Sequence, residues 1–103
     1  MTTIADYLTN DEVMRELGLR LKEKRLERNL PIALLAEHTG LNRKTVMELE
    51  AGEDVKLSSL IKVLRGLNLL GMLEGMLPDT LPSGQALSTR GTVRKNAYRP
   101  GKA

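Results

Sequence analysis

The stretch HTGLNRKTVMELEAG, residues 38 to 52, decides how this chain is read. Thr39-Gly40-Leu41 reads as a turn, because Gly40 can take the left-handed conformation that closes a helix. Asn42 follows as an N-cap, since its side-chain oxygen can accept from the first-turn N–H groups of a new helix. Within that helix Val46 and Leu49 form an apolar stripe, and Gly52 ends it. Asn42, Arg43, Lys44 and Met47 fall on its other side. Four carboxylates stand close by: Glu48, Glu50, Glu53 and Asp54.

Outward from this segment the helical signals continue. Thr9 followed by Glu12 fits a capping box, which predicts a first helix starting near residue 10. Val13, Leu17, Leu21, Arg25 and Arg28 recur at spacings of three and four, one face of a helix ending near Asn29. Pro31 suits the first turn of a second helix, where a missing N–H costs nothing. That helix directs Leu34, Leu35 and Ala36 inward and stops at Gly40. A fourth helix is expected over Leu57 to Leu67, with Leu57, Leu60, Ile61, Leu64 and Leu67 on its inner face. A fifth, short one spans roughly Leu69 to Leu77. The expected class is all-α, with an arm at residues 1–9, a five-helix domain at 10–78 and a flexible basic tail at 79–103.

Charge is divided unevenly. Residues 1–78 hold 11 Lys/Arg against 12 Asp/Glu, whereas the tail sets Arg90, Arg94, Lys95, Arg99 and Lys102 against Asp79 alone. The whole net charge of +3 is therefore owed to the tail. The tail permits three readings: an arm on DNA phosphates or in a minor groove, a recognition peptide for another protein, or a plain solvated terminus. LSTRGTVRK, residues 87 to 95, can pair as a strand only if a partner supplies an edge.

Several classes are set aside. With two tyrosines and no Phe or Trp, base stacking on aromatic platforms is not expected. A helix reading base edges in a duplex needs no aromatics. There is no cysteine, His38 is the only histidine, and no glycine loop can cradle phosphates, so catalysis, a metal, a cofactor and a small-molecule ligand are not expected. The acidic N-terminal text lacks the positive start of a signal peptide, and no apolar run reaches the length of a membrane span. The expected compartment is the cytoplasm.

Residues 17 to about 70 resemble the Cro/repressor-type helix-turn-helix regulators, the xenobiotic-response-element family. The resemblance rests on Leu35-Ala36, Gly40 four residues on, Val46, Leu49, Glu50 followed by Gly52, and Arg25 on the first helix. It implies a lambda-repressor-like helix-turn-helix fold whose third helix lies in the major groove of double-stranded DNA while the second crosses the backbone. By position, Asn42, Arg43, Lys44, Thr45, Met47 and Glu48 then face the duplex, with Ile32 and Lys56 near its phosphates. Arg and Lys match guanine O6 and N7, and Met offers apolar contact to a thymine methyl. Glu48 either accepts from cytosine N4 or is surface filler. The resemblance also implies a structural salt bridge between Arg25 and Glu50.

Ile32 stands where the family frequently has a backbone-touching Gln, and Glu53 and Asp54 replace neutral or basic residues. Both departures predict modest affinity per monomer. Leu69, Leu70, Met72, Leu73, Met76 and Leu77 are expected to form a homodimer interface, the other reading being an intramolecular core. Two functions fit this layout. One is a transcriptional regulator, most simply a repressor, acting as a homodimer on a palindromic operator. The alternative is a HipB-like antitoxin that neutralises a kinase-like toxin and represses its own operon.

Overall fold

The computed structural model describes residues 3–80. Five helices follow in order: α1 (Asn10–Glu27), α2 (Ile32–Thr39), α3 (Arg43–Glu50), α4 (Leu57–Gly66) and α5 (Met72–Met76). No strand occurs among the described residues. The chain divides into two units between Gly71 and Met72. The expectations for Arg90, Arg94, Lys95, Arg99, Lys102 and the strand-like segment 87–95 lie outside the described residues.

Local chemistry sets the helix ends. The Thr9 N–H donates to Glu12 Oε1 at 2.8 Å and the Glu12 N–H donates to Thr9 Oγ1 at 3.1 Å, a reciprocal cap for α1. Asn29, with φ 52, takes the left-handed turn beyond α1, and the Leu30 N–H returns to the Arg25 carbonyl. Pro31 is the N-cap of α2 and not a residue of its first turn: its ψ of 153° is extended, while its carbonyl already accepts from Leu34 and Leu35. Gly40, at φ 77, closes α2 with its N–H on the Ala36 carbonyl.

In the first unit the core gathers Leu21 from α1, Leu35 and Ala36 from α2, Val46 and Leu49 from α3, and Val63 and Leu67 at α4. Helix α3 packs against α1, α2 and α4, so the element carrying the candidate site is held from three sides. Its approach to α1 is made possible by Gly18. A methyl group there would lie 2.5 Å from the Leu49 carbonyl oxygen and 2.6 Å from that of Glu50. The following turn repeats the device: Gly52 sits at φ 86 with the Arg15 backbone where a side chain would begin.

Two inward assignments are corrected. Leu34 is exposed, because α2 buries Leu35 and Ala36 and one turn cannot direct three successive side chains to one side. Leu57 is 71% exposed, since α4 buries Ser59, Val63 and Leu67, a stripe of four-residue steps, with Leu60 and Leu64 on its flank. Arg28 is also exposed, its Nη1 donating to the Lys24 carbonyl.

In the second unit α5 is shorter than the expected 69–77. Gly71 precedes it and Gly75 lies within it, both poor helix formers. None of its residues is buried, and Met72, Met76 and Leu77 are largely exposed while Leu73 is half-buried. Leu69 and Leu70 belong to the first unit, both half-buried, and Leu69 packs against the core. Part of the Leu69 apolar surface is therefore used within the chain, and the remainder stays exposed. No described helix is long and apolar enough to cross a membrane.

Candidate nucleic-acid interface

Helix α3 presents two chemically distinct sides. Val46 and Leu49 are 0% and 5% exposed, while Arg43, Lys44 and Met47 are exposed, the last at 53%. Neither Arg43 nor Lys44 makes an ion pair among the described residues, so both charges are available to a ligand. With Met47, Glu48, Ala51 and Glu53 they line one open depression of about 580 Å³. Its charge is graded, positive at the helix N-terminus and negative beyond the C-terminus. The helix dipole has the same sense, so both favour an anion at the N-terminal end.

That N-terminus is held by its cap. Asn42 Oδ1 accepts from the Thr45 N–H and from the Thr45 hydroxyl, each at 2.8 Å. The Asn42 oxygen is thus engaged by Thr45, whose hydroxyl oxygen keeps its own acceptor capacity. What Asn42 still presents is its amide NH2, a donor to phosphate or to adenine N7. Ile32 is half-buried: part of its side chain packs against the core and the rest is open to solvent at the start of α2.

The other end of α3 is anchored by an ion pair. Arg25 Nε donates to Glu50 Oε2 at 2.7 Å and Nη2 donates to Oε1 at 3.1 Å, with both side chains 7% exposed. The guanidinium also donates from Nη1 to the Leu30 carbonyl at 2.9 Å. One side chain thus ties α1, the turn before α2 and the end of α3 together. No buried side-chain polar atom among the described residues lacks a partner.

Beside this face lies a polar groove of about 440 Å³ between the N-termini of α3 and α4. Asn42, Thr45, Lys56, Ser58 and Lys62 line it, together with Glu48 and Asp54. Lys56 is the N-cap of α4 but gives it no side-chain cap, leaving first-turn N–H groups for an outside acceptor. Ser58 and Lys62 were not singled out in the sequence. Their spacing carries the signal, since positions i and i+4 share a helix face, whereas the apolar pattern of α4 points only to Leu57, Leu60, Ile61, Leu64 and Leu67.

No known protein family and no curated protein matches this chain.

Proposed function

We propose that α2 and α3 form a helix-turn-helix pair of the lambda-repressor-like kind and that the protein binds double-stranded DNA sequence-specifically, as a transcriptional regulator. The observation that carries this reading is the exposed Arg43, Lys44 and Met47 side of a helix fixed at both ends. A reading helix must present its side chains in one register, because bidentate contacts to base edges tolerate little displacement. The Asn42 cap and the Arg25–Glu50 pair supply that rigidity. The groove beside α3, with Lys56, Lys62 and the uncapped start of α4, supplies a place for phosphates. A homodimer through the apolar residues around α5 would set two reading helices about 34–36 Å apart on one side of a palindrome.

The test is selection of preferred duplexes from a random library, followed by anisotropy titrations with Arg43→Ala and Lys44→Ala. Each variant is expected to lose about 1–3 kcal/mol of binding, at least one with changed base preference, while its circular dichroism matches the parent. Two variants that bind like the parent would remove α3 from the interface.

A further inference from the structure

We propose a second, protein-binding site on the first unit: a groove between α1 and α4 that takes a short segment of a partner protein in which leucine-like side chains are flanked by lysine or arginine. This inference goes beyond DNA binding and does not depend on it. Met14 and Leu17 of α1 and Leu57 and Leu60 of α4 line a cavity of about 210 Å³, and Glu53 and Asp54 stand on its rim. Leu57 is 71% exposed at this groove although it opens a helix whose buried stripe lies elsewhere. Glu53 and Asp54 are exposed and make no ion pair or side-chain hydrogen bond among the described residues. Arg15, which packs on Gly52, pairs with neither.

The occupant follows from size and charge. The cavity is smaller than the roughly 300–1,000 Å³ of a site that encloses a whole small ligand, and suits one or two side chains of a peptide. Its lining holds two carboxylates and, unlike the groove beside α3, no lysine or arginine to offset them, so it repels phosphate and sets aside nucleic acid and anionic lipid at this place. A second copy docking symmetrically on the same patch would bring Glu53 and Asp54 against their own counterparts, an arrangement disfavoured by like charge. A cationic, apolar segment satisfies both the floor and the rim.

The test uses the full chain with assigned backbone and methyl NMR signals, and two synthetic peptides as probes, LKKLLK and its acidic counterpart LEELLE. The basic peptide is expected to move the signals of Met14, Asp54, Leu57 and Leu60, and the acidic one to leave them in place. Glu53→Lys with Asp54→Lys should weaken the basic peptide by at least about tenfold. Equal binding of both peptides, unmoved groove signals, or an unchanged affinity in the reversed-charge variant would overturn the proposal. So would groove signals that move with protein concentration, which would assign the groove to a second copy. Groove signals altered by Arg94→Glu with Lys95→Glu before any peptide is added would assign it to the chain itself, with the same consequence.

Discussion

Arg25 holds Glu50 across 25 positions of sequence with two hydrogen bonds from one guanidinium, and both side chains are shielded from solvent. Glu50 is the last residue of α3, where a negative charge opposes the helix dipole. Its counter-ion therefore decides whether that end of the helix is tolerable. Arg25→Ala is expected to cost about 3–5 kcal/mol, because it leaves a buried carboxylate unpaired. Replacing both residues, Arg25→Met with Glu50→Leu, should recover most of that loss. Chemical denaturation of the three variants checks this, and a double variant as unstable as the single one would count against the desolvation argument.

Gly18 predicts a second way to disturb the same helix. Gly18→Ala would press a methyl group on the carbonyl oxygens of Leu49 and Glu50, and backbone on both sides leaves little room to yield. The expected loss is about 1–3 kcal/mol or more, outweighing the gain in helix propensity. Gly71→Ala is the control, since nothing lies within 4 Å of its added carbon. Thermal melts should separate the two clearly.

These two contacts differ in how legible they were. Caps are local: Thr9 with Glu12, Gly40 and Asn42 could be placed because each acts on groups a few residues away. The Arg25–Glu50 pair spans the fold and was reached through family resemblance, not through spacing. Leucine periodicity was the weaker guide. Helix α4 holds leucines on two adjoining stripes, and only its packing on α2 and α3 selects Ser59, Val63 and Leu67 over Leu57. The buried Glu16, held by Arg20 at 2.9 Å, gave no signal at all, since a polar residue enters a core only where a partner covers it. On the candidate site, Arg43, Lys44 and Met47 are on the surface as read, whereas Ile32 divides its apolar side chain between the core and solvent.

Glu12 makes stability depend on pH. The Thr9 backbone N–H, and after it the Thr9 hydroxyl, hold its carboxyl below the ordinary glutamate range. A folded-state value lower than the unfolded one means that the carboxylate stabilises the fold above the ordinary range. That contribution is lost as pH falls through the lowered folded value. Melting temperature should thus decline more steeply in the parent than in Glu12→Gln as pH falls from the ordinary glutamate range through the lowered folded value. Parallel slopes would assign the acid sensitivity to other carboxylates.

Glu53 stands at the negative end of the depression that Arg43 and Lys44 begin. On the proposed DNA reading it repels phosphate there and biases the duplex toward the helix N-terminus. Glu53→Gln is expected to raise duplex affinity at low salt by about two- to fivefold, the gain fading as ionic strength shortens the Debye length. A gain that persists undiminished in high salt would point to a direct contact in place of a screened field.

Lys62 separates positioning from reading. It lies on α4 and lines the polar groove beside α3, but not the depression that Arg43, Lys44 and Met47 line. Contact with a phosphate carries no base information, so Lys62→Ala should weaken preferred and random duplexes by the same factor. It should also reduce the slope of log K against log salt by about 0.9, the release of one counterion. Arg43→Ala is expected to differ in kind, penalising the preferred duplex more than a random one because a base contact is lost. Anisotropy titrations of both variants over a salt series measure the two quantities together. If Lys62→Ala changes base preference instead, the groove between α3 and α4 reads sequence, and the phosphate path must run along another side of α3.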